Sequence, residues 1–94
     1  MAEPRILILG AGVYQAPLIR RAREMGHETV VLSTPGRHPG IELADVFLPV
    51  DITDVEAVLK AADDENVRAV ATAGTDHGLP ALGALVSARG FQGP

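Results

Sequence analysis

The sequence predicts an α/β domain: a Rossmann-like open parallel sheet of about four strands in the order 3-2-1-4, with helices on both faces. Residues 6–9, Ile-Leu-Ile-Leu, are continuously apolar, as in a central strand that is covered on both faces. A glycine-rich turn follows at residues 10–12 and leads into a helical pattern. Strand-like and helix-like segments then alternate along the chain, which favours parallel pairing of the strands.

Composition fits one small globular domain. The 94 residues allow a modest core, and 47% of them are apolar. The net charge is −4 and no basic tract is present, which argues against a nucleic-acid partner. With no cysteine there is no disulfide framework and no thiolate metal site, which fits the cytoplasm. No segment is long enough to span a bilayer, and the first apolar run is too short for the core of a signal peptide.

The turn Gly10-Ala11-Gly12 is the first candidate substrate-binding site. Gly10 and Gly12 lack a Cβ, so they can take positive φ and let a ligand approach the backbone, beside a helix N-terminus that attracts anions. A dinucleotide fingerprint would place a third glycine at position 15, where this chain has Gln15. Two interpretations stay open: the turn contacts an anion directly, or it only closes the corner between strand and helix.

Pro17 delays the first helix, because its ring would clash with a helical carbonyl at Val13. We therefore expect the helix to begin at Tyr14 or Gln15 and to stop at Gly26. Residues 28–32 are the second strand. The Pro- and Gly-rich residues 33–45 leave room for at most one helical turn, at 41–44. Residues 46–50 are the third strand, and Pro49 places that strand at a sheet edge.

The next helix begins at a predicted capping box. Thr53 and Glu56 have the required spacing, and Asn66 is a left-handed stop before a fourth strand at residues 68–72. In a sheet of order 3-2-1-4 the chain reverses direction between strands one and four, and ligands bind at that switch point. Residues 10–15 and 73–78 should face each other there.

The loop at residues 73–78 is the second candidate substrate-binding site. Either Thr75 or Asp76 can simply cap the last helix, since a cap oxygen satisfies N–H groups that have no helical partner. Alternatively, Asp76 and His77 bind the polar end of a substrate across from the glycine turn. The other two histidines lie on separate elements, so no metal site is expected. No catalytic nucleophile arrangement is legible either.

The last helix carries no charged residue from Gly78 through Ala88. We expect Leu79, Leu82 and Val86 to cover the sheet. A second apolar strip would then face outward, formed by Ala81, Ala84, Leu85 and Ala88. A further domain of the same chain, or a second copy of it, is expected to cover that strip.

These motifs together resemble the N-terminal domain that precedes the ATP-grasp fold in carboxylate-amine ligases, such as biotin carboxylase, carbamoyl phosphate synthetase and purine-pathway ligases. The resemblance is carried by residues 6–12 with Gln15 and Pro17, Ala44-Asp45, Val50-Asp51, Thr75-Asp76 and residues 90–94. It implies that residues 1–94 are one such domain, a fragment of a longer ligase that is not catalytic alone. It further implies that Gly10, Gly12, Gln15, Thr75 and Asp76 face a small-molecule substrate.

The resemblance also implies where the chemistry lies. In such ligases, ATP-grasp domains that follow bind ATP and magnesium and activate a carboxylate as an acyl phosphate, so this chain itself would hold no cofactor. Ser33 departs from the acidic residue often seen after the second strand.

Two other functions are compatible with the sequence. In an NADP-dependent oxidoreductase, Ser33, Thr34 and Arg37 could hold a 2′-phosphate, although Gln15 and Pro17 argue against that cofactor. The third interpretation is a free-standing small-molecule-binding module with no chemistry of its own.

Overall fold

A four-stranded sheet organises the part of the chain that the computed structural model describes, residues 5–36, 38–67, 69–72 and 79–90. Its strands are β1 (Arg5–Leu9), β2 (Glu28–Ser33), β3 (Val46–Pro49) and β4 (Val70–Ala71). Every neighbouring pair is parallel, and the order is β3-β2-β1-β4. The predicted fold class and strand order are confirmed, including the edge position of β3.

Four helices lie against the two faces of this sheet: α1 (Ala16–Glu24), α2 (Pro39–Leu43), α3 (Val55–Asp64) and α4 (Leu79–Arg89). Side chains of α1 and α2 pack with Ile8, whereas those of α3 and α4 pack with Leu7 and Leu9. Successive side chains of a strand point to opposite faces, so β1 contributes to both cores. All three of these residues are fully buried, as the apolar run predicts.

Each of the first two helices has a proline in its first turn. Helix α1 starts at Ala16, one residue later than the latest predicted start, and Gln15 is its N-cap. Pro17 therefore lies in the first turn, where no backbone N–H is required. Helix α2 starts at Pro39, two residues before the single turn that the sequence predicts, for the same reason. Strand β4 is shorter than the predicted 68–72, and Arg68 lies outside the described residues.

The cap of α3 differs from the prediction by one residue. Asp54 is the N-cap, and its Oδ1 accepts a hydrogen bond of 3.2 Å from the Ala57 N–H. Thr53 lies one residue too early to be the N-cap, and its hydroxyl donates to Asp51 Oδ1 at 2.7 Å. The predicted stop is confirmed, because Asn66 has a φ of 55°.

Helix α4 presents a different face to the core from the one predicted. Ala81 and Leu85 are fully buried and Leu82 is half-buried, whereas Val86 is 40% exposed. The assignment of Ala81 and Leu85 to an outer strip was therefore wrong. The helix packs against both α3 and β4. The side chains of α4 on the face toward those two elements are therefore the ones that become buried. The side chains of Leu79 and Ala88 lie outside the described residues.

Charged side chains fasten the amino-terminal edge of the sheet. The Arg5 guanidinium bonds to Glu28 Oε1 at 2.7 Å and to the Glu65 carbonyl at 2.6 Å, which joins β1, β2 and the end of α3. The Asp45 carboxylate accepts from the Thr29 N–H at 2.8 Å and from its hydroxyl at 3.2 Å. Arg23 of α1 approaches the same carboxylate at 3.4 Å.

No helix in the described residues is long and apolar enough to cross a membrane.

We predict that Asp45→Ala lowers the free energy of unfolding by about 1–3 kcal/mol, because it removes the acceptor of the fully buried Thr29 N–H. The matched control is Asp64→Ala, which breaks only an exposed pair with Lys60 and should cost less than about 1 kcal/mol. Urea unfolding of both variants is the measurement. Equal losses in the two variants would contradict the assigned role of Asp45.

Candidate functional site

A cleft of about 260 Å³ opens at the carboxyl edge of the sheet, where the first three strands end. This is the edge at which open parallel sheets bind their ligands. The cleft is lined by Gly10, Ala11, Gly12, Gln15, Ser33, Thr34, His38, Asp51, Ile52 and Thr53. The structure thus brings together the four substrate-binding residues predicted on the first loop and adds six from elsewhere.

The two glycines of the turn have different roles. Gly10 has a φ of 105°, so it needs the conformational freedom of glycine. Its N–H donates to the Leu32 carbonyl at 2.8 Å and extends the hydrogen bonding between β1 and β2 by one residue. Gly12 does not adopt a positive φ, contrary to the expectation for this residue. A Cβ at Gly12 would instead lie 3.2 Å from Gln15 Oε1, so crowding is what favours glycine there.

Gln15 fills the space beneath the turn. The residue is only 5% exposed, and its Oε1 accepts the Gly12 N–H at 2.9 Å. A Cβ on Gly10 would meet the Gln15 Cδ at 3.0 Å. The third-glycine position of a dinucleotide site therefore holds an amide that supports the turn from within and occupies one of its N–H donors.

Helix α2 is pressed against the same turn. Gly40 donates its N–H to the Ala11 carbonyl at 2.7 Å. A Cβ built on Gly40 would lie 2.7 Å from Ile19 Cδ1 and 2.8 Å from the Ala11 carbonyl oxygen, which leaves no room for any side chain. Sequence analysis missed this residue, because the contact joins parts of the chain that no local pattern connects.

Thr72, which precedes the second predicted site in the sequence, lies beside the end of β1. The Thr72 hydroxyl donates to the Leu9 carbonyl at 2.8 Å, so the chain leaves β4 next to the end of β1. Thr75, Asp76 and His77 lie outside the described residues, as does Arg37, and their roles stay predictions.

The remaining lining residues come from the ends of β2 and β3. Ser33 is the last residue of β2, and Thr34 follows it. His38 precedes α2, and Asp51 and Thr53 follow β3. The rule that ligands meet the carboxyl ends of parallel strands could have identified them from the predicted strand ends alone. Among the described residues that line the cleft, Asp51 carries the only formal charge, and His38 contributes an imidazole ring. No group of three metal-ligating side chains occurs in the described ranges.

The structural neighbours of this chain are N-terminal regions of ATP-grasp carboxylate-amine ligases. Phosphoribosylglycinamide synthetase from Anaerococcus prevotii is 33% identical to it, with a TM-score of 0.86 over 93% of this chain. N5-carboxyaminoimidazole ribonucleotide synthetase from Thermotoga maritima is 19% identical, with a TM-score of 0.77 over 96%. The biotin carboxylase domain of Hydrogenobacter thermophilus 2-oxoglutarate carboxylase is 16% identical, with a TM-score of 0.80 over 99%.

The predicted resemblance is therefore confirmed. The two neighbours of lower identity support the fold alone, whereas the Anaerococcus prevotii enzyme is similar in sequence as well. The chain spans 22% of that enzyme and 24% and 22% of the other two chains. No protein-family model matches the chain, and no curated protein sequence matches it.

We predict that Gly40→Ala destabilises the domain by about 1–3 kcal/mol, because the added methyl overpacks against the backbone of the turn. Gly83→Ala in α4 is the matched control, since a Cβ there meets nothing within 4 Å. It should be neutral or stabilising by about 0.5–1 kcal/mol. Thermal and urea unfolding test both variants, and a Gly40→Ala protein as stable as the parent would refute the close approach.

Proposed function

We propose that this chain is the substrate-binding N-terminal domain of an ATP-dependent carboxylate-amine ligase and is not catalytic alone. The observation that carries the proposal is the glycine turn that Gln15 supports at the switch point of the sheet, in a chain that is 33% identical to a phosphoribosylglycinamide synthetase. Residues 1–94 would form one domain of a longer cytoplasmic enzyme. ATP-grasp domains that follow it, or a second copy of the chain, would be its partner through α4.

The same turn argues against the alternative of an NADP-dependent oxidoreductase. A dinucleotide site uses the glycine backbone and the helix N-terminus to hold the pyrophosphate. Here the Gly12 N–H is already bonded to Gln15, whose side chain fills the space under Gly10. A pyrophosphate would have to displace a buried amide to reach the N–H at Gly12, so the oxidoreductase is the less favoured function.

Phosphoryl transfer needs a metal-held triphosphate and preorganised positive charge. The single lysine of the chain, Lys60, lies on α3, away from the cleft, and bonds to Asp64 at 2.8 Å. That hydrogen bond raises the pKa of Lys60. ATP and magnesium would therefore bind to the ATP-grasp domains, which would supply the activation of the carboxylate.

Within the proposed ligase, substrate would meet the backbone of Gly10, Ala11 and Gly12 on one side. Asp76, together with Thr75 and His77, would meet it from the loop that follows β4. Gln15 would act by holding the turn, since its side chain is buried beneath it.

The function is tested in the full ligase with Asp76→Asn. This change keeps the volume and a capping oxygen, so stability should fall by no more than the low end of ~0.5–2 kcal/mol. If Asp76 contacts substrate, KM for the amine acceptor should rise about tenfold, which is ~1.4 kcal/mol, while KM for ATP stays constant. Asp64→Asn on α3 is the control with the same loss of charge. Wild-type kinetics of Asp76→Asn for every substrate would leave Asp76 as a structural residue.

We also predict that the chain has no useful affinity for NADPH, since the Gln15 side chain already accepts the Gly12 N–H that would bind the pyrophosphate. A fluorescence titration of NADPH measures this. Saturable binding at low micromolar concentration would favour the oxidoreductase over the ligase.

A further inference from the structure

Two exposed apolar residues, Val13 and Tyr14, stand at the edge of the cleft. Each of them is 68% exposed, more than any other large apolar residue in the part of the chain that the structure describes. Single apolar residues on a surface are ordinary, whereas neighbouring ones beside a cleft are typical of a surface that binds something. We call this pair the apolar rim.

The apolar rim is the tip of a closed turn. Val13 and Tyr14 are its two central residues, and Gly12 and Gln15 on either side of them both line the cleft. The Gly12 carbonyl accepts the N–H of Gln15 at 3.1 Å and that of Ala16 at 3.0 Å, and the Gly12 N–H donates to Gln15 Oε1. These three N–H groups are used within the turn, so its tip offers a ligand mainly the apolar surface of two side chains.

Two contacts hold this turn in place. Gln15 supports it from below and is only 5% exposed, and the Ala11 carbonyl accepts the N–H of Gly40 from α2 at 2.7 Å. A tyrosine side chain has only two rotatable angles before its hydroxyl, so Tyr14 on a fixed backbone loses little freedom when a ligand covers it. The apolar rim is therefore suited to contact a ligand without a large ordering cost.

The size of the cleft determines where a ligand must extend. The described residues form a cleft of about 260 Å³, which is smaller than the ~300–1,000 Å³ of typical small-molecule sites. A ligand of ordinary size that is seated on Gly12 and Ile52 therefore reaches past the mouth of the cleft. The apolar rim borders that mouth, because its two residues lie between Gly12 and Gln15 in the chain.

We propose that the apolar rim binds an apolar or aromatic group of the acceptor substrate, which makes the substrate an amine that carries such a group. This inference rests on the proposed function, since it names the chemistry of the substrate at the same cleft. The polar end of the substrate lies within the cleft, and a planar group stacks on the ring of Tyr14. A small molecule is the occupant, because two side chains provide far less than the ~800 Å² per partner that a stable protein interface buries.

The test is a titration of the 15N-labelled chain with L-phenylalaninamide and, separately, with glycinamide. The two molecules share an amine and a carboxamide, and they differ by a benzyl group. Both should shift the backbone amides of residues 10–12, and L-phenylalaninamide should also shift those of Val13 and Tyr14. Contact of the benzyl group with the apolar rim should make L-phenylalaninamide bind about tenfold more tightly than glycinamide.

Tyr14→Ala should reduce this preference about fivefold while the fold is retained, since the side chain is largely exposed. Met25→Ala is the matched control, because Met25 is 61% exposed at the other end of α1 and does not line the cleft. It should leave both affinities unchanged.

Equal affinity of the parent chain for the two amides, with shifts at residues 10–12 in both titrations, would overturn the inference while the cleft stands as a ligand site. A dimer of the parent chain in sedimentation that Tyr14→Ala disrupts would overturn it as well, because a second copy would then be the occupant. If neither amide shifts any residue of the cleft, the inference fails together with the proposed substrate site.

Discussion

Burial of β1 on both faces is the constraint on which the rest of this domain depends. Leu7 and Leu9 contribute to one core and Ile8 to the other, and none of the three has exposed surface. A strand in that position needs a hydrogen-bonded neighbour on each side and a helical layer above and below. β2 and β4 supply the neighbours on opposite sides, which makes the end of β1 the point where the chain changes direction. The location of the cleft follows from that single requirement.

The support that Gln15 gives to the glycine turn distinguishes this cleft from a dinucleotide site. In a dinucleotide site the third glycine lets the helix approach the strand closely, and the turn stays open to pyrophosphate. Gln15 replaces that arrangement with a side chain that packs against Gly10 and accepts from Gly12. The helix starts later, at Ala16, and Pro17 is accommodated in its first turn. One substitution in the fingerprint thus goes together with a later helix start and with a turn whose Gly12 N–H is already bonded.

Much of the fold was predictable because its signals are local. The apolar run of β1, the glycines and the proline of β3 each determine structure within a few residues, and the strand order follows from the pattern of elements. The predictions that were wrong concern competition between neighbours or contacts between distant segments. Thr53 and Asp54 both precede α3 and compete to cap it, and α4 has no charged residue before Arg89 that would orient it. At the site, the first loop was predictable from its motif, whereas the rest of the cleft required the ends of two further strands to be considered together.

The approach of Gly40 to Ala11 has a consequence for how such a domain diversifies. The segment between β2 and α2, which contributes Thr34 and His38 to the lining of the cleft, is fixed at both ends, by Ser33 in the sheet and by Gly40 on the turn. Since the cost of closing a loop grows only slowly with its length, residues between these two anchors can be lengthened or replaced with little loss of stability. New substrate preferences could therefore be grafted onto this stretch by exchanging loops, with the anchoring serine and glycine left in place.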